Sequence, residues 1–168
     1  MKKTFLVIAT IFLMYSYSYE QTIIPAGNVS GTWTLAGSPY LIQGSVMIPD
    51  GSTLSIEPGV NVNFQGSYKL YIQGRLLAAG NAADTIHFSA ADTTIGWLGL
   101  HFDNTPLTND TSKIFYCKLQ YAKTTNGGGA IYILGFSKVV ISNNRIANCR
   151  SDAYPGGGGI LGSGGSPV

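Results

Sequence analysis

Charged side chains are scarce in this sequence. Asp, Glu, Lys and Arg make up 11% of the 168 residues, whereas a typical soluble domain has about 25%. The formal net charge is +2, and Lys2 and Lys3 account for that excess. The rest of the chain therefore has neither the basic stripe of a nucleic-acid-binding protein nor an acidic tail, and we expect no nucleic-acid partner.

Long hydrophobic runs are also missing, apart from one at the start of the chain. Residues 5–15 are largely apolar, follow a cationic start at residues 1–3, and precede the small polar residues Ser16 and Ser18. The run is shorter than the ~20 residues that span a bilayer, and its organisation is typical of a secretory signal peptide. We predict a signal peptide over residues 1–18, with an uncleaved membrane anchor as the alternative. The mature protein is then secreted or exposed at the cell surface, with no membrane span.

Glycine and alternating apolar residues are abundant. The chain has 22 glycines, and hydrophobic residues make up 45% of it. From Val46 onward, apolar and polar residues alternate in short runs separated by turns, as in residues 60–64 and 86–88. Alternation with period two is typical of a strand with one buried face. The sequence therefore predicts an all-β protein.

The alternating runs recur at a longer interval of about 27–31 residues, which indicates a repeat architecture. The recurring positions form three series: Leu70, Leu100, Ile131 and Ile160; Ile86, Ile114 and Ile141; and Leu119 and Ile146. Such recurrence predicts a solenoid of strands in which each coil stacks on the previous one. We expect about four to five coils over residues 46–168, with residues 19–45 as an N-terminal segment and cap. A two-sheet β-sandwich is the competing interpretation, because it also contains short strands and turns.

One stretch of sequence resembles a known family. Residues 54–64, LSIEPGVNVNF, closely resemble the opening coil of secreted bacterial right-handed parallel β-helix proteins, and residues 70–80 and 96–102 resemble the elements that follow. The resemblance implies a right-handed, single-stranded parallel β-helix of the pectate-lyase-like superfamily. Members of that family include adhesins, polysaccharide lyases, glycosidases and surface proteins. Because the chain ends at Val168 just after a new coil begins, we expect it to be an N-terminal fragment.

One column of outward positions in the predicted coils is aromatic. Tyr71, His101 and Tyr132 each lie between two inward-facing apolar residues, and the repeat stacks them on one face. Aromatic rings in a row can stack on sugar rings, so these three are the predicted ligand-binding residues and an extracellular polysaccharide is the predicted partner. A cross-strand ladder that only stabilises the sheet, by about 0.2–1 kcal/mol per pair, is the competing interpretation.

The acidic residues are too dispersed for catalysis. Acid–base chemistry on glycans usually needs two carboxylates about 5–10 Å apart, and Asp103, near the aromatic column, is the one conceivable starting point. His87 and His101 fall on outward positions without a second His or Cys at metal-ligand spacing. They are expected to be isolated surface histidines. We predict no catalytic residue, no metal site and no cofactor within this chain.

The chain has two cysteines, Cys117 and Cys149. A pair in an exported protein suggests a disulfide. The repeat, however, stacks Cys117 on Asn144 and Cys149 on Ala122, which separates the sulfurs around the coil, whereas a disulfide needs Cα atoms within about 7 Å. We therefore predict two free thiols.

These observations favour a non-catalytic, secreted or cell-surface β-helix scaffold that is adhesin-like or glycan-binding. The alternative is the N-terminal part of a polysaccharide lyase or glycoside hydrolase whose catalytic coils lie beyond residue 168. Clustered Asp with Arg or Lys in the downstream sequence would favour the enzyme. The sequence predicts neither the ligand nor the oligomeric state.

Overall fold

The computed structural model describes residues 20–125, 127–136, 138–152 and 156–164. These residues form short strands and one 3-10 turn, Leu35–Gly37. The strands are β1 Thr22–Ile24, β2 Gly27–Asn28, β3 Gly31–Trp33, β4 Tyr40–Ile42, β5 Val46–Ile48, β6 Thr53–Ile56, β7 Asn61–Phe64, β8 Leu70–Ile72, β9 Arg75–Ala79, β10 Ile86–Ala90, β11 Leu100–Asp103, β12 Ser112–Phe115, β13 Cys117–Gln120, β14 Lys123–Thr124, β15 Ile131–Leu134, β16 Val139–Ser142, β17 Arg145–Ala147, β18 Arg150–Ser151 and β19 Ile160–Ser163. Within this described part, no helix has the length and apolar character needed to cross a membrane.

All the strand pairings of the described residues are parallel. Sheet 1 has the order β2-β5-β8-β11-β15-β19, sheet 2 has β3-β6-β9-β12-β16, and sheet 3 has β1-β4-β7-β10-β13-β17. A fourth, two-stranded sheet pairs β14 with β18. The chain visits sheets 1, 2 and 3 in turn, so neighbouring strands of a sheet come from successive circuits. This confirms the predicted all-β parallel solenoid and excludes a sandwich of antiparallel sheets.

The core is the space that the three sheets enclose. Alternate residues of the central strands point inward, and in sheet 1 Leu70, Leu100 and Ile131 are register partners that are fully buried. Burying one such side chain contributes about 1.5–3 kcal/mol relative to leaving it in water. The period-two alternation read from the sequence thus becomes a continuous apolar column along the solenoid.

The predicted stacking is correct for two of the three series. Leu70, Leu100, Ile131 and Ile160 follow one another in sheet 1, and Leu119 pairs with Ile146 in sheet 3. In the remaining series Ile114 does pair with Ile141, but the predicted stacking of Ile86 on Ile114 is wrong. Ile86 pairs with Cys117 in sheet 3, and Ile114 pairs with Ala78 in sheet 2. The turns differ in length, so an interval near the repeat length can join strands of different sheets.

Parallel pairing begins before Val46, where the sequence placed the first coil. Within the 19–45 segment expected to form a cap, β1 pairs with β4, and β3 pairs with β6. Trp33 and Tyr40 are buried there, and their rings stack with centroids 4.8 Å apart. The ladders of all three sheets therefore extend into this segment, and an aromatic pair fills the core at this level.

The loop 104–111 between β11 and β12 folds back over turns of earlier circuits. The Asn109 side-chain Nδ2 donates hydrogen bonds to Asp50 Oδ1 and to the Gln73 carbonyl oxygen, each at 2.8 Å. The Gly51 N–H donates to Asn109 Oδ1 at 3.3 Å. One buried amide thus ties together turns that are far apart in the sequence.

Candidate functional site

Sheet 1 brings the three predicted ligand-binding residues together. Tyr71 is the register partner of His101, and His101 is the register partner of Tyr132. The Tyr71 and His101 ring centroids are 6.1 Å apart at an interplanar angle of 63°, and those of His101 and Tyr132 are 5.3 Å apart at 49°. Both tyrosines are half-buried. The three rings form a continuous row on the outer face of sheet 1, which we call the aromatic row.

His101 is the least exposed member of the aromatic row. It points outward as the alternation predicts, yet only 6% of it is exposed, so it is not the isolated surface histidine that the sequence suggested. Its Nε2 lies 2.7 Å from the Leu98 carbonyl oxygen. A carbonyl oxygen only accepts hydrogen bonds, so Nε2 carries the proton.

The surroundings of His101 favour its neutral form. Burial lowers the pKa of His101, and the Lys69 ammonium group lowers it further, while the Leu98 hydrogen bond and Asp103 oppose the shift. The ordinary value is 6.5, so the imidazole is uncharged at pH 7. The central ring of the aromatic row is therefore neutral at that pH.

We predict that the lowered pKa of His101 makes the protein less stable in mild acid. Well above pH 6.5 the histidine is neutral in both the folded and the unfolded chain. As the pH falls below that value, the unfolded chain binds a proton that the folded chain does not, and stability decreases until the lowered folded pKa is passed. The midpoint of urea unfolding should therefore fall between about pH 7.5 and about pH 5, and His101→Gln should reduce the fall.

The matched control for this prediction is His87→Gln. Burial, followed by Lys118, also lowers the pKa of His87, but His87 is less buried than His101. The control should therefore retain most of the pH dependence. An equal fall in the wild type and in His101→Gln would contradict the prediction.

A small pocket of about 60 Å³ opens beside His101. Its lining residues are Lys69, Leu98, His101, Thr124 and Thr125. Its volume matches about two water molecules at ~30 Å³ each. A sugar does not fit inside, so a saccharide would contact the rings and the rim of the pocket.

Two members of the rim were not apparent from the sequence. Lys69 Nζ lies 4.6 Å from the centroid of the Tyr71 ring, in a cation–π contact. Thr124 belongs to β14 of the fourth sheet, and its hydroxyl donates to the Gly127 carbonyl oxygen at 2.7 Å. Lys69 lies two residues before Tyr71, and its contact with the ring depends on a side-chain conformation that the sequence does not give.

Asp103 lies two residues after His101 on the same strand, and its register partner in β15 is the apolar Leu134. Within the described ranges, no group of three or more His, Cys, Asp or Glu is close enough together to hold a metal ion.

Both cysteines are free thiols in the structure. Cys117 Sγ–H lies 3.3 Å from the Phe115 carbonyl oxygen, and burial raises the pKa of this thiol to about 12. Burial also raises the pKa of Cys149, whose Sγ lies 3.4 Å from the Ala147 carbonyl oxygen. The Cys117 N–H donates to Asn144 Oδ1 at 2.7 Å, in agreement with the predicted stacking of these two positions. Thiols held as the protonated form are poor nucleophiles.

Comparison with known proteins leaves the family of this chain open. No protein-family model, curated protein or solved structure matches it. The parallel solenoid is thus a finding about the fold alone, and one fold hosts many unrelated functions. Function has to be inferred from the side chains that the solenoid presents.

Proposed function

We propose that this protein is an exported, non-catalytic scaffold that binds extracellular glycan along the aromatic row of sheet 1. The observation that carries the proposal is the unbroken sequence of Tyr71, His101 and Tyr132 in parallel register, with centroids 6.1 and 5.3 Å apart. Parallel strands hold such a row rigidly, since each ring stands on a strand that is paired on both sides.

The physical reason is the shape of a sugar. A pyranose ring has C–H bonds on its faces and hydroxyl groups at its edge, so an aromatic ring can cover the apolar face while polar groups bind the edge. Tyr71 and Tyr132 are half-buried and offer both ring surface and a phenol hydroxyl. Lys69 and Thr125, at the rim of the neighbouring pocket, are placed to bind hydroxyl groups.

Two further predictions belong to the same proposal. The predicted signal peptide over residues 1–18, which lies outside the described residues, supports export, and export would bring the aromatic row into contact with extracellular polysaccharide. The coil motifs of residues 54–64 and 70–80 support a right-handed parallel β-helix of the pectate-lyase-like type. Dispersed carboxylates support binding without turnover, because glycan cleavage usually needs a carboxyl pair.

The proposal is tested by screening the protein on a glycan array and then measuring the affinity for the best-bound glycan by calorimetry. The double variant Tyr71→Ala/Tyr132→Ala should bind about tenfold more weakly, because each aromatic contact contributes about 0.5–1.5 kcal/mol. Tyr71→Phe/Tyr132→Phe keeps the rings and should retain most of the affinity. Product analysis should detect no shortened glycan.

The matched control is Leu134→Ala, which removes an exposed apolar side chain from the same strand and the same face as Tyr132. It should leave the affinity unchanged. An array without any bound glycan, or an alanine double variant that binds as tightly as the wild type, would overturn the proposal. Release of new reducing ends would favour an enzyme.

A further inference from the structure

Sheet 3 carries a second set of polar side chains that the aromatic row does not involve. His87, Lys118 and Arg145 are successive register partners on β10, β13 and β17. They stand on the outer face, because the residues next to them in the strands, such as Ile86, Phe88 and Leu119, point into the core. Neighbouring strands are about 4.8 Å apart, so the three basic side chains form a short column.

A pocket of about 380 Å³ lies along this column. Its lining residues are Thr85, His87, Cys117, Lys118, Asn143, Asn144 and Arg145. Pockets that bind small organic ligands range from about 300 to 1,000 Å³, so this one has room for a monosaccharide. No acidic residue contributes to this lining.

The positive charges of the column have no carboxylate partner in the described part of the chain. The ion pairs found there join Arg75 to Asp110 and Arg150 to Asp152. Like charges directly opposite each other on neighbouring strands destabilise a sheet, and Lys118 and Arg145 are such a pair. A bound anion would remove this repulsion.

The neutral groups of the pocket are positioned by the fold. The Thr85 hydroxyl lies 2.8 Å from His87 Nε2. Asn144 donates from Nδ2 to the Ile114 carbonyl oxygen at 2.6 Å and accepts from the Cys117 N–H at 2.7 Å. The turn that carries Asn143 and Asn144 is thus tied to the preceding circuit, which fixes one wall of the pocket next to the base of the Arg145 side chain.

We propose that the sheet 3 pocket binds the anionic group of an acidic saccharide through Lys118 and Arg145, with His87 at the end of the column. The guanidinium group of Arg145 matches a carboxylate by two parallel hydrogen bonds, whereas Lys118 supplies a point charge. A sugar-borne sulfate has the same charge and acceptor chemistry. The site lies on a different sheet from the aromatic row, so it does not depend on glycan binding there.

Nuclear magnetic resonance of the whole chain tests this proposal, because the chain contains two histidines. Their imidazole C–H signals report on the two faces separately, His87 on sheet 3 and His101 on sheet 1. Glucuronate and glucose 6-sulfate are titrated as carboxylate and sulfate probes, with glucose and inorganic sulfate as references. We expect at least one acidic sugar to shift the His87 signal with saturation, while glucose leaves it unchanged.

Variants then identify the groups responsible. Lys118→Met and Arg145→Gln should each weaken the binding of the acidic sugar about tenfold, the usual effect of removing a charge-assisted hydrogen bond. Lys113→Met is the matched control, since Lys113 is an exposed lysine on β12 of sheet 2, and it should have no effect.

Several results would overturn the proposal. They are a His87 signal that neither acidic sugar shifts, binding that survives in both Lys118→Met and Arg145→Gln, and inorganic sulfate binding as tightly as the acidic sugars. A shift of His101 alone would also overturn it, while supporting glycan binding at the aromatic row. If no glycan binds at the aromatic row but an acidic sugar shifts the His87 signal with saturation, only the proposed function is contradicted and the sheet 3 proposal is supported.

Discussion

Replacing Trp97 by alanine is expected to lower the free energy of unfolding by about 3–5 kcal/mol, the usual cost of removing a large aromatic side chain from a core. Trp97 is fully buried, and its ring stacks on Phe64 with centroids 4.4 Å apart and lies 6.2 Å from Phe88. Its indole N–H also donates to the Gln120 carbonyl oxygen at 2.8 Å. The substitution therefore leaves a cavity and removes the donor of that hydrogen bond.

The size of the Trp97 effect follows from the register of the core. Phe64 pairs with Ala90 on the next circuit, and a methyl group there leaves room above the phenyl ring. The indole, which stacks on Phe64, occupies this space. Since whole domains are stable by about 5–15 kcal/mol, the alanine variant loses a large part of its stability.

Urea unfolding followed by circular dichroism measures the Trp97 effect, with Trp97→Phe as the control. Phenylalanine keeps a stacked ring but lacks the N–H group, so its loss should be clearly smaller than that of alanine. A loss below about 1 kcal/mol for Trp97→Ala would contradict the stacking argument.

Replacing Gly99 by alanine is expected to destabilise the protein through two separate terms. Gly99 has φ +88°, a left-handed conformation that costs a residue with a Cβ atom about 1–2 kcal/mol. An added Cβ would also overlap the Gly129 carbonyl oxygen and approach the Ala130 carbonyl oxygen to 3.0 Å. Displacing backbone of the next circuit adds about 1–3 kcal/mol, as overpacking of a core does.

Comparison with Gly51→Ala isolates the second cost, the overlap with the backbone of the next circuit. Gly51 has φ +72°, but an added Cβ there meets nothing within 4 Å. Its loss should therefore reflect the conformational cost alone. Thermal unfolding measures the stability of both variants. We expect Gly99→Ala to lose at least about 1 kcal/mol more than Gly51→Ala. Equal losses would show that the close approach of the circuits at Gly99 costs nothing.

Gly99 immediately precedes β11, the strand that carries His101. The Leu70 N–H donates to the Gly99 carbonyl oxygen at 3.2 Å, so this glycine is part of the parallel ladder. A shift of the backbone at Gly99 will therefore change the position of His101 between Tyr71 and Tyr132. The alanine variant should lower glycan affinity as well as stability if the aromatic row is the binding surface.

The fold was largely predictable because the solenoid repeats one simple pattern. Period-two alternation identifies the inward positions, and the repeat interval aligns Leu70 with Leu100 and Ile131, as the structure confirms. What the sequence could not assign is the sheet to which each strand belongs. Ile86 and Ile114 have the same local pattern, yet variable turns place them on sheets 3 and 2.

The beginning of the solenoid escaped prediction for a different reason. β2 and β3 have two and three residues, and each contains a glycine. Neither of these two strands contains alternating apolar residues, although parallel pairing with the next circuit determines their conformation. Residues 22–33 therefore look like an irregular segment in the sequence and form paired strands in the structure.

The candidate site was predictable in its placement and not in its environment. Alternation gives the direction of the Tyr71, His101 and Tyr132 side chains, and their alignment follows from the repeat. Burial of His101 depends on residues from other circuits, including those that form the pocket with Thr124 and Thr125. The same holds for the column of His87, Lys118 and Arg145, whose members are widely separated in the sequence.

The loop 104–111 has a consequence for N-linked glycosylation of the chain. Residues 109–111, Asn-Asp-Thr, have the acceptor sequence for N-linked glycosylation. The nitrogen that would receive the oligosaccharide is the same Nδ2 that donates to Asp50 and to the Gln73 carbonyl oxygen, and Asn109 is 8% exposed. A transferase reaches this nitrogen only before the loop closes over the turns. A sugar attached there would keep the loop open, so folding and glycosylation compete for a single amide.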